Sequence, residues 1–195
     1  MADFEKSIAQ VLINEGGIAN NKLDNGQFTY KGIASAYWPK WPGWPVVKAV
    51  YDKYKGNAKA INNELAKNTT LQNQVNQFYK DNFWNPLSLS SLNDEQLALN
   101  VLDFAVNAGT GTAAKRLQQA ANAVINKCSK QVGLVVDGNI GPKTISTINS
   151  LSAKDVYDEF NNRRKAYYDG IIANNPSQAV FKNSWYSRIK DYQVV

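Results

Sequence analysis

The sequence predicts a mainly α protein with one small β-hairpin near its N-terminus and a helical C-terminal region. Two observations carry that expectation. Apolar residues recur at helical spacing over most of the 195 residues, and a single stretch, 16–44, breaks the rhythm with glycine, asparagine and aromatic residues. A hydrophobic content of 44% is enough to bury a substantial core.

The first helix is expected over residues 3–14, because Phe4, Ile8, Val11 and Leu12 share one face. Asp3 is placed to cap its start, and Gly16 and Gly17 follow as a stop. Phe28, Thr29 and Tyr30 form the best strand candidate, beside a turn at Asp24, Asn25 and Gly26. Helical periodicity returns at about 45–55, 57–68, 70–84, 94–107 and 111–128, with Asn93, Asp94 and Thr112 near the starts. Gly141 and Pro142 open another helix, since proline suits the first helical position, and two last helices are expected at about 152–173 and 176–190. The short serine-rich stretch 88–93 is the expected join, which places a boundary near residue 92 between regions 1–92 and 93–195.

Composition narrows the chemistry. With no histidine, serine–histidine triads and the usual zinc sites are excluded, so catalysis would rest on carboxylates. The single cysteine, Cys128, has no internal partner for a disulfide. The opening Met1 to Glu5 has no basic head and no apolar stretch follows it, so synthesis in the cytoplasm without a signal peptide is expected, with export or release by another machine. No segment has the length of a membrane span, and no stable membrane insertion is expected. The formal charge of +6 favours anionic partners, but the lysines are spread along the chain and match no nucleic-acid module, so nucleic acid is not an expected partner.

Glu15 is the residue of most chemical interest. It lies seven residues after Ile8, four after Val11 and three after Leu12, so a helix continuing through it puts a carboxyl on the apolar face. Partial burial there disfavours the ionised form, as a proton donor to a glycosidic oxygen requires. The plainer alternative is a last-turn residue reaching solvent.

The residues that follow bear on that choice. Glu15-Gly16-Gly17, then Asp24-Asn25-Gly26-Gln27-Phe28-Thr29-Tyr30-Lys31-Gly32-Ile33, resembles the signature of glycoside hydrolase family 108, whose usual form is Glu-Gly-Gly-Tyr, Asp-Pro-Gly-Gly and Thr-x-x-Gly-Ile. This sequence departs from it with Ile18 for tyrosine, Asn25 for proline and Gln27 for glycine. The resemblance implies a lysozyme-like fold and an N-acetylmuramidase acting on peptidoglycan. Phage-type lysozymes, too, place a helix-terminal glutamate, an aspartate and a threonine in this order. The resemblance implies Glu15 as catalytic acid, Asp24 as a carboxylate stabilising an oxocarbenium-like transition state or activating water, and Thr29 as a hydroxyl orienting that water or holding Asp24. It implies no metal or organic cofactor.

Tyr37 to Trp44 packs four large aromatic residues and two prolines into a segment unsuited to regular helix. Trp38, Trp41 or Trp44 would line a glycan subsite, since flat rings suit sugar faces, or would staple the loop to the core. Further on, Asp103 to Gly109, Arg116-Leu117-Gln118 and Val136 to Thr144 resemble the peptidoglycan-binding region that follows the catalytic part in this family, although Ala108 replaces its usual histidine. Arg163, Arg164, Tyr167, Tyr168, Phe181, Trp185 and Arg188 resemble the closing helices of that region. Asp103 and Asn107 lie one helical turn apart and would face a cleft together, with Asp103 as second carboxylate if Asp24 does not serve.

The expected activity is therefore hydrolysis of the β-1,4 bond between N-acetylmuramic acid and N-acetylglucosamine at the bacterial cell wall. Two alternatives are a lytic transglycosylase acting on the same bond and a non-catalytic wall-binding protein that assists export. Proteins of the family have been described as secretion activators that act by opening the wall, which motivates the second.

Overall fold

The computed structural model describes residues 1–20, 28–128 and 132–194. Among these, nine α-helices and a three-stranded sheet follow in the order α1 (Phe4–Asn14), β1 (Ile18–Asn20), β2 (Phe28–Tyr30), β3 (Ile33–Ala34), α2 (Trp44–Lys53), α3 (Ala58–Ala66), α4 (Thr69–Tyr79), α5 (Glu95–Ala108), α6 (Thr110–Cys128), α7 (Pro142–Asn149), α8 (Ala153–Asn174) and α9 (Lys182–Ser187). The mainly α, lysozyme-like expectation holds. The hairpin gains a third strand: β2 pairs antiparallel with both β1 and β3, with Thr29 opposite Ala19 and Ala34.

Side-chain caps set several of the helix starts. The Asp3 carboxylate accepts from Lys6 N at the head of α1, and Asn57, Asn68, Asp94 and Ser152 each accept from a first-turn N–H of α3, α4, α5 and α8. One expected helix divides. Instead of running to residue 84, α4 ends at Tyr79 and passes into a π turn, Lys80–Trp84, then a 3-10 turn containing Pro86. The wider turn leaves Trp84 fully buried, edge-on to Phe4 and with its indole N–H on Ser90 Oγ at 2.6 Å. The last expected helix also divides, into a 3-10 segment Pro176–Phe181 and α9. Beyond α9 the tail is tied to other elements, Tyr192 to Asp94 and Gln193 to Gln96.

The chain forms two compact units, residues 8–81 and residues 1–7 with 82–195. The smaller unit holds the sheet and α2–α4 around Ile33, Val47, Ile61, Leu65, Leu71 and Val75, all fully buried. The larger unit centres on α5, α6 and α8. Ala113, Ala114, Ala120 and Ala121 line the buried face of α6, where small side chains let neighbouring backbones approach closely. The Glu95 carboxylate draws in the start of the chain through Asp3 N at 2.6 Å and Ser7 Oγ at 2.9 Å. Residues 88–93 lie within this unit.

The Asp-Gly motif at 137–138 has a structural explanation. Gln118 on α6 donates to Asp137 Oδ1 at 2.8 Å and to the Asn139 carbonyl at 3.0 Å, and accepts from Gly138 N at 2.9 Å. One turn later Asn122 exchanges two hydrogen bonds with the Leu134 backbone. Two amide side chains thus pin the loop as a neighbouring strand would, and Gly138 supplies the positive φ, +85°, that the turn needs.

The Asp94 and Asp169 carboxylates, accepting from Tyr192 and Tyr186, push both phenols up to about 12. Phenols of the unfolded chain ionise near pH ~10, so between there and about 12 the fold holds more protons than the unfolded state. Stability from these bonds is whole below that window and is lost as pH rises through it. Tyr192→Phe should flatten the alkaline fall in melting temperature, and an unchanged slope would remove Tyr192 from this account.

Candidate active site

Glu15 directly follows α1. Gly16 takes a φ of +68° and turns the chain out of the helix, a backbone state that glycine adopts freely. Gly17 then passes so close to α3 that a Cβ on it would lie 2.2 Å from Asn62 Nδ2, while Asn62 Oδ1 accepts from Ile18 N at 2.8 Å. The Glu-Gly-Gly motif thus combines a carboxyl, a helix stop and a close docking of the chain onto α3.

The half-buried Glu15 carboxyl rests on the β2–β3 turn. At Gly32, φ +77°, an added Cβ would lie 2.6 Å from Glu15 Oε2 and 2.5 Å from the Tyr79 hydroxyl. Gly32 is therefore the floor of the site, and its missing side chain is the space the carboxyl uses. Tyr79, buried on α4, holds that floor from below by donating to the Lys31 carbonyl at 2.6 Å. The Lys31 amine donates to Gln72 Oε1 at 2.6 Å, and Gln72 Nε2 donates in turn to the Tyr30 hydroxyl at 3.1 Å and the Leu65 carbonyl at 2.8 Å. Burial pushes the Lys31 amine down from its ordinary value and the Tyr30 phenol up.

Thr29 sits mid-strand in β2, half-buried and on the opposite sheet face from buried Tyr30. Asp24 lies outside the described residues. The three tryptophans separate by burial. Trp41 and Trp44 are 6% and 4% exposed, meet edge to face at 5.1 Å, and Trp41 stacks over Tyr30, so both pack the loop onto the smaller unit. Trp38 is 39% exposed and Tyr37 76%. Trp38 is held rigidly, edge-on to Phe78, with its carbonyl accepting from the Trp44 indole at 2.7 Å.

Asp103 and Asn107 belong to the larger unit. Asn107 is exposed near the end of α5. Asp103 is buried between two arginines, accepting from Arg164 at 2.7 Å and Arg188 at 3.2 Å, and Arg164 also donates to the buried Asn100 side chain. A carboxylate so placed serves as counter-ion to the two arginines. Sequence reading missed Tyr79, Asn62 and Gln72. Each reaches a partner more than forty residues away, a separation at which no local pattern marks it.

Residues 8–109 match the model of glycosyl hydrolase 108, and residues 112–190 match that of a predicted peptidoglycan domain. The chain belongs to glycosyl hydrolase family 108. Among solved structures, this family 108 chain is similar to SagA of Brucella abortus, with 25% identity and a TM-score of 0.62, over 95% of this chain and 88% of that one. No curated protein matches it. Its two matched regions make the family 108 chain a glycoside hydrolase acting on peptidoglycan, the cell-wall polymer. No helix among the described residues is long and apolar enough to cross a membrane.

Two substitutions test the layout. Gly32→Ala places a methyl group on the carboxyl and the phenol at a strained φ, costing about 1–3 kcal/mol of stability, and should abolish wall cleavage by the protein that still folds. A turbidity assay on purified peptidoglycan reads this, and near-normal clearing would contradict the seat assigned to Glu15. Asp103→Ala leaves Arg164 buried without its counter-charge and should cost about 3–5 kcal/mol in denaturant unfolding, with cleavage per folded molecule retained.

Proposed function

We propose that this hydrolase is an N-acetylmuramidase that cuts the β-1,4 bond between N-acetylmuramic acid and N-acetylglucosamine, with Glu15 as general acid. The observation that carries the reading is the seat of Glu15: a carboxyl at the end of an apolar helix face, half-buried on Gly32, in the position of the family's glutamate. A carboxylic acid in such a place is aimed by the packing around it. In the proposed reaction it protonates the leaving oxygen as the bond to the anomeric carbon breaks.

Asp24 is the second carboxylate of this proposal, stabilising the cationic sugar or activating the incoming water, because the alternative, Asp103, is held by two arginines. Thr29, nearby in sequence on β2, orients that water or Asp24. Trp38 offers its exposed face to a sugar ring, with buried Trp41 and Trp44 as the rigid support of its loop. We assign the chemistry to the region up to about residue 92 and polymer binding to residues 93–195, where exposed Asn107 is a further contact. Peptidoglycan strands are the partner, at the cell wall.

Glu15→Gln keeps the shape and removes the proton. It should lower cleavage by about 10²–10⁴-fold with binding to insoluble wall preserved. Mass spectrometry of wild-type products should show reducing ends; anhydro sugars would instead make the enzyme a lytic transglycosylase, and full activity in Glu15→Gln would end the proposal.

A further inference from the structure

Arg163, Arg164 and Arg188 each lie against a carboxylate, that of Glu159 or of Asp103. Arg116 on α6 differs. It donates to the neutral Gln119 side chain at 2.9 Å, and its guanidinium lies over the Tyr167 ring at 5.9 Å. Among the described residues no carboxylate pairs with it, and it is half-buried, within reach of solvent.

A line of aromatic rings continues from this arginine. Tyr167 meets Tyr168 at 5.6 Å, Trp185 of α9 stacks on Tyr168 at 4.9 Å with 12° between the planes, and Phe181 lies 5.8 Å from Trp185. Tyr168 is buried and forms the floor, while Tyr167 and Trp185 are half-buried. Phe181 is 48% exposed, next to Val180 at 77%, and is the one exposed aromatic ring among the described residues of the larger unit. The segment that carries Phe181 and Trp185 is braced on α8, where Asp169 accepts from the Tyr186 hydroxyl at 2.6 Å and pairs with Lys182 at 3.7 Å. The rings are thus held in place before a ligand arrives, which lowers the ordering cost of binding.

A polymer with flat apolar sugar faces and free carboxylates complements this surface in shape and in charge. Aromatic rings take the sugar faces, and a guanidinium takes a carboxylate through two parallel N–H donors. Arg116, Tyr167, Phe181 and Trp185 all lie within the segment 112–190 that matches the predicted peptidoglycan domain. We propose that these four residues form the wall-binding face of the larger unit, with Phe181 and Trp185 taking N-acetyl sugar rings and Arg116 a free carboxylate of the stem peptide. The inference rests on the assignment of polymer binding to residues 93–195.

Co-sedimentation of the full chain with insoluble peptidoglycan on ice tests it, with binding scored per folded molecule. Two walls are compared, one intact and one whose carboxylates have been amidated with carbodiimide and ammonium. Phe181→Ala should weaken binding to both walls on the order of tenfold, as for loss of an aromatic anchor. Arg116→Gln should weaken binding to the intact wall by about tenfold and leave binding to the amidated wall at the wild-type level, a difference that a merely structural role for Arg116 would not produce. If both variants bind both walls as the wild type does, the inference is overturned. It is overturned equally if Phe181→Ala leaves wall binding intact but turns a dimer into a monomer in analytical ultracentrifugation, since the face would then meet a second copy of the chain. Wall binding lost in Trp38→Ala and kept in both other variants would instead remove the assignment of polymer binding to the larger unit.

Discussion

A carboxyl group that ends an apolar helix face must be given room, and here the room comes from an atom that is absent. Gly32 has no side chain, so the Glu15 carboxyl and the Tyr79 phenol both reach the β2–β3 turn. Much of the smaller unit is arranged to keep that turn in place. Tyr79 binds its carbonyl from α4, Gln72 holds the Lys31 amine and the Tyr30 phenol, and Asn62 holds the chain where it leaves α1. These contacts come from α3 and α4, so the apolar packing of those helices sets the position of the acid.

Two carboxylates show how environment divides roles. Asp103 is buried with two arginines and an asparagine, an arrangement that satisfies its charge and ties α5, α8 and the segment after α9 together. Removing a partner from such a cluster is costly, which makes it a brace. Glu15 is half-buried beside a glycine and a phenol, at the end of an apolar helix face. The same side-chain chemistry therefore serves stability in the larger unit and, in our proposal, catalysis in the smaller one.

The fold was largely legible because its helices obey local rules. Asp3, Asp94 and Pro142 mark helix starts within a residue or so of where they occur, and amphipathic spacing carries each helix between its ends. The π turn at Lys80–Trp84 was not legible, since nothing local in Lys-Asp-Asn-Phe-Trp distinguishes a widened turn from ordinary helix. It is favoured by the burial of Trp84 against Phe4, a contact from the far end of the chain. The aromatic cluster was legible as a cluster only. Composition placed Trp38, Trp41 and Trp44 together, but which ring faces solvent depends on Tyr30 and Phe78, neighbours outside that segment.

By itself the sequence determined the helical architecture, the hairpin, the membership in a wall-hydrolase family and the place of Glu15 at a helix end, because each is encoded by residue type at short spacing. Only the tertiary structure decided what the carboxyl rests on, which tryptophan is open and that Asp103 is held by arginines. Those outcomes turn on contacts between residues far apart along the chain, and such contacts exist only once the helices have packed.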